Sequence, residues 1–248
     1  VVIIRDITDL KTAKLELESR ARKLELSNRE LEEFAYVVSH DMKQPIRTII
    51  SYLSLLRRKY KDSIDAEGQE YINFSIEGAN KMSDLIRDIL QYSRMEQQLD
   101  FIKEVDLNAV MGKVLNGLKE AIQTNNAKVT CDKLPVVKGN DTMLLELFQN
   151  LVENGMKYNR SEAKTVDVKV HDKGQYWQFD VTDNGIGFEE KYADQIFKIF
   201  KRLHSDNEFQ GTGIGLAVCQ KAIEKHGGRI WANSVPGQGS TFHFTLPK

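Results

Sequence analysis

Leu10, Leu17, Leu24, Leu31 and Val38 recur every seven residues, and Ala21, Asn28 and Ala35 fall four places after three of them. An apolar seam held over about four heptads, on a segment rich in Glu, Lys and Arg and free of Gly and Pro, specifies one long helix. A lone amphipathic helix can look similar, but a repeat this sustained predicts a parallel two-stranded coiled coil over residues 9–33. Polar Asn28 at one seam position would hold the register at some loss of stability. After Val38 and Met42 the seam continues as Ile46, Ile49, Leu53, Leu56 and Tyr60, so one step of four replaces a step of three. Such a stutter locally unwinds a coiled coil. It coincides with Pro45, which removes the helical partner of the Asp41 carbonyl and is expected to kink the helix. His40 lies two places from both Val38 and Met42, about 200° around the helix, and is expected to face water. An exposed imidazole beside a helix distortion is a candidate reactive group.

Residues 62–68 read as a turn, and a second helix runs to about Gln97 with Ile72, Ala79, Met82, Ile86 and Ile89 on one face. Two antiparallel helices per chain, dimerised, would make a four-helix bundle over 34–98. The pattern breaks at 97–103, a short linker, and residues 99–248 read as α+β. Helices are expected at 107–123, 141–158 and 214–226, and strands at 127–131, 165–171, 176–182, 229–233 and 240–246. His243 alternates with Thr241 and Thr245 opposite Phe242, Phe244 and Leu246, which marks it as a surface or edge residue. The Thr241 face is a candidate pocket lining.

A net charge of -1 gives no electrostatic footprint for nucleic acid. No apolar run approaches the roughly 20 residues that span a bilayer. Cys131 and Cys219 have no metal spacing and are expected to be buried free thiols in a reducing, cytoplasmic setting. The opening Val1-Val2-Ile3-Ile4 lacks Met and reads like the middle of a strand, so the chain is expected to be a fragment of a larger protein.

Three separated segments of the second half suit a nucleotide. Asn150, Asn154, Lys157 and Tyr158 lie at i, i+4, i+7 and i+8, on one helical face. A neutral amide oxygen ligates Mg²⁺ without repelling a triphosphate, and Lys157 adds a point charge; alone, such a stripe also suits a merely solvated face. Asp183-Asn184-Gly185-Ile186-Gly187 follows a strand, and its carboxylate would accept from an exocyclic amine, favouring adenine over guanine. Gly211-Thr212-Gly213-Ile214-Gly215-Leu216 opens a helix whose backbone N–H groups and dipole suit phosphates. It matches G-x-G-x-x-G incompletely and lacks a P-loop Lys. Between the last two segments, Phe197, Phe200, Arg202 and the polar run 204–208 look like a lid with an apolar anchor.

In this order the segments resemble the sensor histidine kinases over about residues 30–247. His40-Asp41-Met42-Lys43-Gln44-Pro45 is similar to their H box, the Asn150 segment to their N box, and Asp183–Gly187 to their G1 box. Phe197–Arg202 resembles the F box and Gly211–Leu216 the G2 box. Phe34-Ala35-Tyr36, Arg202-Leu203-His204 and Gly227-Gly228-Arg229-Ile230-Trp231 are similar to the phytochrome-like branch, and residues 1–8 resemble the last strand of a PAS sensor domain. The resemblance implies a dimeric coiled coil and four-helix bundle followed by a Bergerat-type α/β sandwich that uses ATP and Mg²⁺. It implies His40 as phosphoacceptor, with Asp41 orienting it and taking up a proton. Asn150 would ligate Mg²⁺, with Asn154 beside the metal and phosphates, Lys157 on the phosphates and Tyr158 near ribose and adenine. Asp183 would read the adenine N6, with Gly185 and Gly187 shaping its pocket. Gly211, Thr212, Gly213, Gly215 and Leu216 would surround the triphosphate, and Arg202 would reach the γ-phosphate. The implied partners are a second copy, a response-regulator receiver domain and an upstream sensor domain. Gln44 stands where much of the family has Thr or Asn that helps dephosphorylate the partner, and Gly155 replaces the usual Ala, a change expected to be without consequence. Two rival classes remain: a hydrolytic ATPase of the gyrase or chaperone type, and a coiled-coil scaffold with a degenerate ATP domain.

Overall fold

The computed structural model describes residues 8–94, 102–203, 208–209 and 211–248, without the side chains of 8–10, 12–14, 18, 21, 24–36, 39–40 and 94. The strand expected at the N-terminus, the linker over 97–101, the lid residues 204–207 and most coiled-coil seam side chains therefore lie outside the described residues, as does the orientation of the His40 side chain.

Helix α1 (Thr8–Lys59) runs through Pro45 without a break and pairs with α2 (Ala66–Arg94) as a hairpin. Proline costs a helix one hydrogen bond, and the residues around this one are exposed, so water can take up the lost partner. Ile46 from α1 and Ala79, Ile86 and Leu90 from α2 form the hairpin core. Met42, Ile49, Leu56 and Tyr60 stay exposed along α1, as does Met82 on α2, which the expected apolar face had included. Ile89 points the other way, toward the second lobe.

The second lobe begins with β1 (Lys103–Asp106), α3 (Leu107–Gly117), α4 (Lys119–Thr124), β2 (Ala127–Cys131), β3 (Val136–Gly139) and α5 (Asp141–Lys157). It ends with β4 (Lys164–Asp172), β5 (Tyr176–Asp183), α6 (Gly215–Lys225), β6 (Ile230–Val235) and β7 (Gly239–Pro247). The helix expected over 107–123 is split at Leu118, whose N–H caps α3 on Val114 O. Strands β1 and β3, not foreseen, pair antiparallel. The other five form a mixed sheet in the order β2-β4-β5-β7-β6, parallel only between β2 and β4. Asn140 caps α5 by accepting from Thr142 and Met143 N–H, and its own N–H donates to His226 Nε2 at the end of α6.

The inward residues of β4, β5 and β7 meet α3, α5 and α6 in one core. At its centre the rings of Phe179 and Phe244 stack at 4.8 Å, and Phe148 from α5 meets both edge-on. All three are fully buried. Phe148→Ala removes a ring that the neighbours cannot replace, so we expect a loss of about 3–5 kcal/mol in chemical denaturation; a loss under 1 kcal/mol would show that the core repacks.

The opposite sheet face is polar. Asp180 accepts from His243 Nδ1 at 2.7 Å and from His171 Nε2 at 3.0 Å, and Trp231 stacks on His243. His243 is therefore half-buried on an interior strand rather than at an edge. Cys219 is buried as expected, but Cys131 is exposed near the end of edge strand β2. Although the residue is exposed, partial desolvation of its sulfur and the neighbouring Asp132 and Asp167 push the Cys131 thiol up to about 11, which disfavours the thiolate at neutral pH.

Candidate functional site

The amphipathic period of α5 sends Leu144, Leu147, Phe148 and Leu151 into the core and leaves Asn150, Asn154, Lys157 and Tyr158 on a cleft. Asn150 Nδ2 donates to Glu146 O at 2.9 Å, which turns its carbonyl oxygen outward against Gly215. Gly211 leaves room for the Lys157 ammonium, because a Cβ there would lie 2.4 Å from Nζ. Glycine at these two places thus lets an acceptor oxygen and a cation reach the start of α6.

Asp183 ends β5 at the other side of the cleft. Its Oδ1 accepts from Gly185 N at 2.8 Å and Ser240 N at 3.3 Å, and Oδ2 takes no hydrogen bond among the described residues. Burial pushes its carboxyl up to about 6, against the lowering by those two N–H groups. Gly185 packs on the Tyr158 carbonyl, to which Ile186 N donates at 2.9 Å, so the turn after β5 is tied to the end of α5. Two asparagines complete that tie. Buried Asn159 donates to Asn184 Oδ1 at 2.7 Å, and Asn184 Oδ1 also accepts Thr165 N. Phe188 N donates to Ser234 Oγ, which fixes the other end of the turn.

The cleft is continuous. A narrow part of about 90 Å³, bounded by Asp183, Gly187, Ile186 and Phe242, shares Asn154, Tyr158 and Leu216 with a wider chamber of about 250 Å³. The chamber is bounded by Asn150, Lys157, Gly211, Thr212, Gly213 and Gly215. It has an apolar slot with one buried carboxylate at one end, and an amide oxygen, a lysine and a helix N-terminus at the other. That donor and acceptor set fits a purine nucleotide with its phosphates toward α6. A Mg²⁺ ion held through one protein oxygen and phosphate oxygens fits Asn150.

Two sequence expectations change, those for Thr241 and Gly155. Thr241 bonds to Thr182 on the outer sheet face, and the cleft is lined instead by its neighbours Ser240 and Phe242, because strand side chains alternate. Arg202 lines the narrow part, where its guanidinium donates to Phe209 O at 2.5 Å, and its Cγ packs beside Gly213 of the glycine turn. Gly155 is not neutral, since an added Cβ would lie 2.8 Å from Val166 and 3.2 Å from Asp183. Asn159, Asn184, Ser234 and Ser240 are site-building residues that the sequence reading missed; the polar pair directly after Tyr158 and Asp183 was the available signal.

In the hairpin, Asp41 and Gln44 are exposed on α1, and Thr48 Oγ1 donates to Gln44 O. The hairpin also enters the cleft, because Asp84, Arg87 and Asp88 of α2 border the wide chamber. Leu85, Ile89 and Tyr92 pack on Met143, Ile214, Val218 and Ala222.

Two family models match the chain: the His Kinase A (phospho-acceptor) domain over residues 30–98, and the histidine kinase-, DNA gyrase B- and HSP90-like ATPase over residues 139–248. Cyanobacterial phytochrome A of Nostoc sp. is 42% identical over 232 residues, covering 94% of this chain and 30% of the relative. The chain thus spans about a third of the length of such curated relatives. The full-length structure of ShkA in complex with AMPPNP is similar over 87% of this chain and 45% of that one, at a TM-score of 0.65 and 21% identity. The structure of the histidine kinase ThkA with the response regulator TrrA is similar over 99% of this chain and 68% of that one, at a TM-score of 0.61 and 24% identity. At these identities the two structures speak for the fold.

Proposed function

The chain belongs to the sensor histidine kinases, and on that premise we propose that it phosphorylates His40 from ATP and passes the group to an aspartate of a response regulator. The observation that carries this reading is the continuous cleft between Asp183 and the start of α6, paired with a helical hairpin that bears His40-Asp41. Asp183 Oδ2 accepts from the adenine amine, and Phe242 and Ile186 line the slot for the ring. Asn150 holds Mg²⁺, which neutralises phosphate charge. Lys157 and the N–H groups from Gly211 to Gly215 face the phosphates.

Phosphoryl transfer asks the protein mainly for position and charge neutralisation. A ring nitrogen of neutral His40 forms the P–N bond as the bond from the γ-phosphorus to the bridging oxygen breaks. ADP leaves, and the proton from the other ring nitrogen passes to the Asp41 carboxylate or to water. The phosphoramidate then gives its phosphoryl group to a carboxylate of the partner as the P–N bond breaks, and His40 takes a proton back from Asp41 or water to return to the neutral imidazole. The exposed stripe Met42, Ile49, Leu56 and Tyr60 suits a second copy of the chain, which supports a homodimeric bundle. Gln44, exposed on α1 four residues after His40, would be the residue to orient a water for dephosphorylating the partner. A sensor domain is the further partner of this reading, since the chain matches 30% of the length of cyanobacterial phytochrome A. No helix among the described residues is long and apolar enough to cross a membrane, and dependence on ATP fits a cytoplasmic site.

Incubation with γ-labelled ATP and Mg²⁺ tests the reading. The chain should acquire acid-labile, alkali-stable label, and His40→Gln should lower it at least about 1,000-fold, the usual scale for loss of a nucleophile. Steady phosphate release from a chain that never carries label would instead mark a hydrolytic ATPase.

A further inference from the structure

Thr212 sits in the middle of the glycine turn before α6, and its hydroxyl donates to Asp88 Oδ2 of α2 at 2.6 Å. The same hydroxyl oxygen accepts Ile214 N at 3.3 Å. The Asp88 carboxylate is thus linked through one hydroxyl to the N-terminal N–H groups of an 11-residue helix, where an anion is most favoured. It borders the wide chamber at the end that shares no lining with the Asp183 slot. A nucleotide seated on Asp183 with its phosphates toward α6 therefore points them into the chamber that Asp88 borders.

Within α2 the charge of Asp88 is not cancelled, while Lys157, Lys201 and Glu153 line the same chamber from the second lobe. Arg87 is divided between Asp84 at 2.9 Å and Asp88 at 3.6 Å, which leaves this segment of α2 with one net negative charge. Around the hydroxyl bond the two lobes are packed together. Leu85, Ile89 and Tyr92 meet the apolar side of α6, and the Lys221 ammonium lies 4.2 Å from the Tyr92 ring centre.

We propose that Asp88 is a positioning and specificity residue of the nucleotide site, contributed by the helical hairpin, which separates triphosphate from diphosphate. A diphosphate leaves the Thr212–Asp88 bond intact and the lobes docked. The terminal phosphate of a triphosphate meets the Asp88 charge, breaks that bond, and frees the ATP-binding lobe from α2 so that it can move toward His40. The inference rests on the ATP reading above and adds the residue through which the site senses phosphate number.

The test is equilibrium binding of ADP and of the non-hydrolysable triphosphate AMPPNP, each with Mg²⁺, to the whole chain. Asp88→Asn keeps an acceptor for Thr212 and removes the charge. It should shift the ratio of the two dissociation constants at least about tenfold toward the triphosphate, the effect of unit charges about 12 Å apart in a site of effective dielectric about 20 and a lower bound for closer ones. Thr212→Val removes the bond that only the triphosphate has to break, so it should tighten AMPPNP by up to about tenfold and leave ADP within about twofold. A merely structural Asp88 would move ADP and AMPPNP by one common factor, and that result, or no change in either, overturns the proposal. Failure of the unaltered chain to bind either nucleotide would overturn the ATP reading beneath it.

Discussion

Asp183→Asn is expected to melt about 6–12 °C above the parent chain at pH 7.5 and to bind ATP at least about 100-fold more weakly. Both effects follow from one buried carboxylate. An ordinary aspartate titrates near 3.9, whereas burial holds this one at about 6. Folding therefore raises the proton affinity of the group, so its ionised form opposes folding. Below about pH 4 the carboxyl is neutral in both states and contributes nothing. Between about 4 and 6 the penalty grows, and above about 6 it is fully present, on the order of 3 kcal/mol. An asparagine removes it while its Oδ1 keeps the bonds from Gly185 and Ser240. For a lobe of this size each 1 kcal/mol corresponds to about 2–4 °C. The melting difference between parent and variant should thus vanish near pH 4 and open as pH rises through 6. Binding moves the opposite way because the asparagine presents an N–H₂ to the adenine amine. Donor meets donor, a charged acceptor is lost, and about 3 kcal/mol of binding goes with it. Scanning calorimetry across pH together with nucleotide titration reads both. A variant that is less stable and binds equally well would remove Asp183 from the adenine site.

The same residue shows where sequence reading succeeds. The α5 stripe was legible because one helical period separates core from cleft, and Leu147 and Asn150 obey it. The alternation of β7 was equally legible, with Phe242, Phe244 and Leu246 on one face and Thr241 and His243 on the other. The error lay in which face reaches the ligand. The polar face looked suited to a nucleotide, but the cleft opens between helices and sheet, on the apolar side, so Phe242 lines it. Polarity predicts solvent, and a purine slot is largely apolar.

What stayed hidden depends on partners distant in sequence. Strands β1 and β3 have four residues each and no periodicity to read, and they exist because they pair with each other. Leu118 continues the apolar spacing of α3, so only the capping bonds reveal the break. Thr212 was placed on the phosphates by its glycine neighbours, but its bond to Asp88 spans 124 positions. The tie between Asn159 and Asn184 crosses 25 residues and belongs to two motifs that a linear reading treats separately.

Gly239 is the case in which a distant approach should have the largest stability effect. It opens β7 at φ +95°, and a Cβ added there would lie 2.0 Å from the Asp183 carbonyl oxygen. Neither feature can relax alone. The backbone conformation is one that L side chains resist by about 1–2 kcal/mol. The approach joins the first residue of β7 to the last residue of β5, in the register that brings Ser240 N to the Asp183 carboxylate. Moving β7 outward to admit a methyl group would break that bond and open the slot beside Asp183. Gly237 separates the two costs. It has φ +78° with nothing within 4 Å of an added Cβ, so Gly237→Ala should lose only the conformational part. Gly239→Ala should lose more than about 4 kcal/mol in chemical denaturation, since overpacking adds to the strain. Any folded fraction should bind ATP more than about tenfold more weakly, the scale of one misplaced hydrogen bond to a charged group. Equal losses for the two alanines would mean that β7 gives way freely at Asp183, and that the carboxylate is set by its own turn rather than by the neighbouring strand.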